Sequence, residues 1–214
     1  MDAGFLERIG NVPLPPYIHR QPGAPDSPED REAYQTVFAK EPLAVAAPTA
    51  GLHFTEGLLA EIRERGISIV DLTLAIGAAT FKPVTSEETG EHSFDPEDAF
   101  IPSATLLEIA RAREERRRVV AVGTTVARTL ETAARLPQGL EPGRDRRFPA
   151  DIFITPGFEF RVVDALLTNF HLPRSTLLML VSAFAGRENV LAAYEAAIRE
   201  GFLFYSYGDA MFVV

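Results

Sequence analysis

The 214-residue sequence contains no cysteine. That excludes disulfides, thiol catalysis and zinc-thiolate sites, and it fits a cytoplasmic protein. Histidine is scarce: four scattered residues form no His-x-x-x-His pair, so no dedicated metal site is expected. No apolar run approaches the roughly 20 residues that span a bilayer, and residues 1–10 lack the basic-then-apolar order of a secretion signal. No membrane partner is therefore expected. Three signatures are also missing: the GxGxxG and GxxxxGKS/T phosphate loops and the Gly-x-Ser-x-Gly hydrolase elbow. Basic residues are outnumbered, 21 against 30 acidic ones, for a net charge of −9. A nucleic-acid partner would thus have to be held by local patches.

What is present suits one sizeable core. With 46% hydrophobic and 24% charged residues, the chain reads as a single α/β catalytic-type domain over 1–214, with 1–32 as an extended, proline-rich arm. Two arginine patches occur. Arg111, Arg113, Arg116, Arg117 and Arg118, with Glu114 and Glu115 between them, fit a solvated helix face. Arg144, Arg146 and Arg147 around Asp145 lie in a Gly/Pro-flanked loop open to a ligand.

The centre of the pattern is Asp164 to Ser182. Leu166 and Leu167 read as a buried strand, and Ser175 or Thr176 caps a helix that Leu177, Leu178 and Leu180 pack down. The turn between carries Thr168, Asn169 and His171, at the carboxyl end of a strand where open α/β sheets bind ligands. Elsewhere, Ala33 to Ala39 is a short helix and Leu43 to Ala47 a buried strand candidate. A Gly-bearing turn, Pro48 to Thr55, leads to a helix from Glu56 to Arg65, capped by Thr55 and stopped by Gly66. Ser68 to Ile76 reads as a strand, Thr85 to Ile101 as a polar surface excursion, and Ser103 as the cap of a helix reaching Arg118 with Leu106, Leu107 and Ile109 inward. Val119 to Val122 is a strand, and Gly123 leads into a helix over Val126 to Arg135. Leu136 to Pro149 is loop, Asp151 to Thr155 and Phe158 to Val163 are paired strands, Glu188 to Glu200 is the last helix, and Phe202 to Tyr207 with Met211 to Val214 close the sheet. Strand–helix alternation predicts an α/β fold with a mainly parallel or mixed, barrel-like sheet and flanking helices.

Non-apolar residues gather at strand ends: Thr49, His53 and Thr55; Thr80; Thr124, Thr125 and Arg128; Asn169 and His171; Ser206, Tyr207 and Asp209. Each has a plain alternative as a cap or turn bond. Together they describe a polar pocket with two histidines near neutral pKa as proton carriers. Glu131, three residues beyond Arg128, can pair with that guanidinium on the helix surface and fix it as a donor for an anion.

The motifs PLPPYI (Pro13 to Ile18), YQTVFAK (Tyr34 to Lys40), AAPTAGLHFT (Ala46 to Thr55), TFKPV (Thr80 to Val84), VVAVGTT with Arg128 and Glu131, DIFITPGFEF (Asp151 to Phe160), LLTNFHLPRSTLLMLVSAFAG (Leu166 to Gly186) and FYSYGDAM (Phe204 to Met211) occur in order over nearly the whole chain. In these the chain resembles the S-adenosylmethionine:tRNA ribosyltransferase-isomerases of queuosine biosynthesis. The resemblance implies transfer and isomerisation of the ribosyl part of S-adenosylmethionine onto a 7-aminomethyl-7-deazaguanine at the tRNA wobble position, giving epoxyqueuosine with no metal required. It implies S-adenosylmethionine as cosubstrate and tRNA as partner. His53, His171 and Asp209 are then the candidates for proton handling; Thr49, Thr55, Thr80, Thr124, Arg128, Asn169, Ser206 and Tyr207 are the candidates for binding.

Family members are about 350 residues long, and their separate β-barrel domain has no counterpart here. Within the match, Ala75 stands where the family's LHVGxGTF has histidine, Ala79 where it has glycine, Asp95 for the second histidine of EHxMHxE, Ala150 for the threonine of Gly-x-Thr-Asp, and Leu203 for an arginine. These departures leave two further readings: a diverged paralogue that binds another adenosyl or nucleoside ligand, and a partner-dependent module without chemistry.

Overall fold

The computed structural model describes residues 12–15, 17–21, 27–40, 44–75 and 96–214. Thr80, Ala79 and Asp95 lie outside the described residues. In chain order the elements are α1 (Pro28–Ala33), a 3-10 turn (Thr49–His53), α2 (Glu56–Glu64), β1 (Thr73–Ala75), β2 (Glu97–Ile101), α3 (Ser103–Glu114), β3 (Val120–Val122), α4 (Thr124–Ala133), β4 (Arg146–Ala150), β5 (Ala165–Asn169), α5 (Thr176–Ala185), α6 (Arg187–Arg199) and β6 (Ala210–Val213).

Among the described residues two three-stranded sheets form. In one, β2 pairs antiparallel with both β1 and β4; in the other, β5 lies parallel to β3 and antiparallel to β6. The architecture is thus mixed α/β, and no sheet closes into a barrel among the described residues. The core lies between α3, α4, α5 and the second sheet, with Leu106, Ala121, Ala127, Leu166 and Val181 fully enclosed. No single helix among the described residues is long and apolar enough to cross a membrane.

Where local chemistry is strong, the elements fall as expected. Thr55 accepts the Leu58 N–H at 3.1 Å and Ser175 that of Leu178 at 3.2 Å, capping α2 and α5. Gly66 ends α2 with φ +77°. Glycine at 123 adopts φ +96° and donates to the Leu167 carbonyl, which locks the β3–α4 junction to the neighbouring strand.

Several expectations are corrected. Among the described residues the first helix is Pro28–Ala33, set by Ser27 capping Asp30 N, instead of Ala33 to Ala39. Ala44 to Ala47 is irregular, and of Ser68 to Ala75 only Thr73–Ala75 is strand, while Leu43 and Ile76 lie outside the described residues. Residues 97–101 are the central strand of a sheet and not a surface excursion, because Glu97 is neutralised there by Arg128. Pro102 and not Ser103 occupies the cap of α3, and Leu107 is 48% exposed while Leu106 and Ile109 face inward. Arg146–Ala150, expected as loop, is an edge strand, where Pro149 is tolerated.

Residues 151–163 form no strand. Their backbone is claimed by a side chain: the Glu131 carboxylate accepts the N–H groups of Arg161, Val162 and Val163 at 2.9–3.1 Å. Phe202 to Tyr207 is likewise a compact turn and not a strand, closed by Asp209, whose N–H reaches the Leu203 carbonyl while its carboxylate accepts the Leu203 N–H at 2.7 Å.

Candidate active site

The carboxyl ends of the parallel pair β3 and β5 meet three further segments: the 3-10 turn, the N-terminus of α4 and the loop Phe204–Asp209. Side chains at positions 167 and 169 share one face of β5 by strand alternation, and Asn169 is only 2% exposed. Its Nδ2 donates to the Tyr205 carbonyl at 3.1 Å, and lies 3.1 Å from His53 Nε2. Because Tyr205 offers only an acceptor, the amide nitrogen must face it, so His53 Nε2 is an acceptor too and the ring proton sits on Nδ1. The second amide atom, Oδ1, is buried with no hydrogen-bond partner. An orphaned buried acceptor costs about 1–3 kcal/mol, which a donor on a ligand would recover.

Position 51 holds the 3-10 turn in place. A Cβ on Gly51 would lie 2.6 Å from Phe38 and 2.9 Å from Thr36, so only glycine lets the turn seat against that segment. Position 208 acts similarly in the opposing loop, where a Cβ would stand 2.5 Å from the backbone of Leu203 and Phe204. Tyr205 takes φ +73°, a strained geometry for a side-chain-bearing residue, and its carbonyl is the one that orients Asn169.

Around this loop all five tyrosines of the chain join one connected wall. Tyr194 packs on Phe204, Phe204 on Tyr205, and Tyr205 on Tyr17 at 5.0 Å. Tyr17 Oη lies 2.6 Å from Ser206 Oγ, and Tyr34 meets Tyr207 edge-on at 5.9 Å. Burial pushes the Tyr34 hydroxyl up to about 12, against a smaller opposing effect of its hydrogen bond to Ser206. The sequence pattern singled out Ser206 and Tyr207 but not Tyr17, Tyr34 or Tyr205. Their signal was present in the motifs PLPPYI, YQTVFAK and FYSYGDAM.

The remaining candidates divide. Thr124 is buried at the first turn of α4, whose N-cap Gly123 supplies no side chain, and a Cβ on Gly123 would be 3.8 Å from Ala50 of the 3-10 turn. Thr49 opens that same turn. Arg128 is buried and pairs with Glu97 at 2.5 Å, not with Glu131, which is itself fully buried and binds Arg135 at 2.7 Å. Thr55 caps α2 and Asp209 clasps the terminal loop. His171 places Nε2 2.8 Å from Thr168 Oγ1 and donates its backbone N–H to Tyr194 Oη. Burial pushes its ring down to about 4, out of the near-neutral range expected of both histidines.

Of the altered motif positions, Ala75 pairs with Asp98 across β1 and β2, Ala150 pairs with Glu97, and Leu203 is 65% exposed. Of the arginines expected to be open to a ligand, Arg147 lies over the Phe100 ring and Arg146 reaches the Glu141 carbonyl, while Asp145 accepts the Ser103 N–H. Among the described residues no group of three or more acidic or histidine side chains could hold a metal ion.

Residues 3–213 match the family model described as queuosine biosynthesis protein. The chain belongs to that family. It is 53% identical over 208 residues to the S-adenosylmethionine:tRNA ribosyltransferase-isomerase of Geotalea uraniireducens, covering 97% of this chain and 59% of that relative. With the enzyme of the same name from Citrifermentans bemidjiense it shares 54% over 209 residues, 98% of this chain and 59% of that relative. Among solved structures it resembles S-adenosylmethionine tRNA ribosyltransferase from Thermotoga maritima, with a TM-score of 0.64 and 42% identity over 77% of this chain and 51% of that one. The chain thus spans about three-fifths of the length of these curated relatives.

Proposed function

We propose that this chain carries the ribosyltransferase-isomerase chemistry named for its relatives, with S-adenosylmethionine as cosubstrate and tRNA as acceptor. The ribosyl part would pass to the aminomethyl group of a deazaguanine in the tRNA, releasing adenine and methionine. The observation that carries the reading is the buried, unpartnered Asn169 Oδ1 beside an oriented histidine at the rim of a parallel strand pair.

The reaction requires a proton to leave the carbon beside the sulfonium and one to reach the departing adenine. His53, half-buried with its ring held by Asn169, is the group that would exchange protons. Asn169 Oδ1 accepts a hydroxyl or amino donor of the cosubstrate. The N-terminus of α4 with Thr124 offers N–H groups and a favourable dipole to the methionine carboxylate. Arg128, neutralised by Glu97, fixes β2 against α4 behind that end. Tyr17 and Tyr34, both hydrogen-bonded to Ser206, form the aromatic wall against which a base can lie. His171 and Asp209 hold the two loops that set Asn169 and Tyr205. The main-chain N–H of His171 anchors on α6, and the Asp209 carboxylate closes the terminal turn.

The test is binding of S-adenosylmethionine by calorimetry. Asn169→Ala is expected to weaken it about tenfold to a hundredfold while leaving the unfolding midpoint near wild type. Unchanged affinity would remove Asn169 from the site. The alternative, a pocket that binds an adenosyl ligand without transferring ribose, is favoured by Ala75 in place of the family's histidine. Tight binding with no adenine release in the presence of tRNA would establish it.

A further inference from the structure

A cavity of about 540 Å3 opens between α5, α6 and the turn at Thr155, and none of the residues of the His53–Asn169 crevice lines it. Its size is that of sites which enclose a small ligand. Its floor is apolar, built by Leu178, Met179 and Leu191, and its charged members are Arg174 and Arg187.

These two arginines differ from those held in ion pairs. Arg128 and Arg135 are held by Glu97 and Glu131, whereas Arg174 and Arg187 have no carboxylate partner among the described residues, in a chain of net charge −9. Arg174 takes φ +55°, a left-handed geometry that costs a side-chain-bearing residue about 1 kcal/mol or more. Arg187 is the first residue of the 13-residue α6, whose N-cap, Gly186, contributes no side-chain bond. A cation at the positive end of a helix is unfavourable by roughly 0.3–1 kcal/mol, and only Glu188 in the same turn offsets it. An anion between the two guanidiniums would neutralise both cations, the one at the helix N-terminus included, and guanidinium forks match phosphate geometry.

We propose that this cavity holds one nucleotide of the RNA substrate, next to the base presented to the His53–Asn169 crevice. Its phosphate lies between Arg174 and Arg187, and its base rests on Leu178, Met179 and Leu191. The inference rests on the tRNA reading of the proposed function. It adds the place where that RNA is gripped, on a protein whose overall charge repels nucleic acid.

The experiment is a fluorescence-anisotropy titration of a labelled anticodon stem-loop RNA with the full chain over a range of salt concentrations. Calorimetry with S-adenosylmethionine and with adenosine 5′-monophosphate runs in parallel. Arg174→Gln and Arg187→Gln change exposed side chains, so the fold is retained. Each is expected to weaken RNA binding about tenfold and to lower the slope of log affinity against log salt by about one, with S-adenosylmethionine binding unchanged. Arg174→Lys is expected to keep the slope while losing part of the affinity. Arg113→Gln, exposed on α3, is expected to change neither. Wild-type RNA affinity and slope in both glutamine variants would overturn the proposal and leave the tRNA reading intact. Loss of monophosphate binding with RNA binding preserved would also overturn it, assigning the cavity to a free nucleotide. A wild-type chain that binds S-adenosylmethionine but no RNA would overturn the proposal together with the tRNA half of the functional reading.

Discussion

His53 and His171 are both histidines near the end of β5, yet the structure gives them different surroundings. His53 is accessible, and its ring is aligned by an amide whose own orientation is dictated by a backbone carbonyl. His171 is held beside Thr168, with its ring neutral over the physiological range. Replacing His53 with Ala is expected to reduce the rate of adenine release by about 10²–10⁴-fold with little loss of stability. His171 acts on stability instead, and the sign follows from its depressed value. Above about pH 6.5 neither the folded nor the unfolded ring takes a proton, so its contribution is fully present. As pH falls from 6.5 towards 4 only the unfolded chain is protonated, and stability declines by about 3 kcal/mol in all. Urea midpoints at pH 7 and pH 5 test this. The wild type is expected to lose more stability between them than His171→Gln, and equal losses would contradict it.

At the scale of elements, legibility followed local signals. The β5–α5 hinge, the caps of α2 and α5 and the β3–α4 junction were readable, because a hydroxyl or a glycine beside a periodic apolar run has few other uses. Asn169, His53, Ser206 and Thr124 were singled out in the same way, as polar groups expected at strand ends. What was not readable depended on long-range partners. Residues 158–163 have the β-rich composition of a strand, but Glu131, some thirty residues earlier, binds their N–H groups. Glu97 looked like a surface acid until Arg128 was placed against it. Glu131→Gln would set an amide donor among backbone donors and leave Arg135 without its carboxylate. It is expected to cost about 3 kcal/mol, or a Tm drop of roughly 6–12 °C by thermal unfolding. Gly208→Ala must displace the Phe204–Asp209 turn and with it the Tyr205 carbonyl. S-adenosylmethionine affinity is expected to fall even where Tm is nearly kept. Unchanged binding would show that the loop does not set the crevice.

For the molecule as a whole, two different halves of the chain build one crevice. The 3-10 turn near the start contributes His53, the parallel pair β3 and β5 contributes Asn169, and the C-terminal turn contributes Tyr205 and Ser206. Tyr17 and Tyr34 complete the wall from the first segments described. The family was legible because its motifs are the segments that meet there, although their sequence separations reach 189 residues, between Tyr17 and Ser206. The cavity at Arg174 and Arg187 was not legible as a site, since Arg174, in the turn before α5, and Arg187, at the start of α6, come together only through the packing of those two helices. The central claim is that the His53–Asn169 crevice performs tRNA-dependent ribosyl transfer. It is tested most directly by adenine release from S-adenosylmethionine, with and without tRNA bearing the aminomethyl-deazaguanine. The account expects release only with that tRNA, and its loss in His53→Ala and Asn169→Ala. Release that ignores the tRNA, or that persists in both variants, would contradict it.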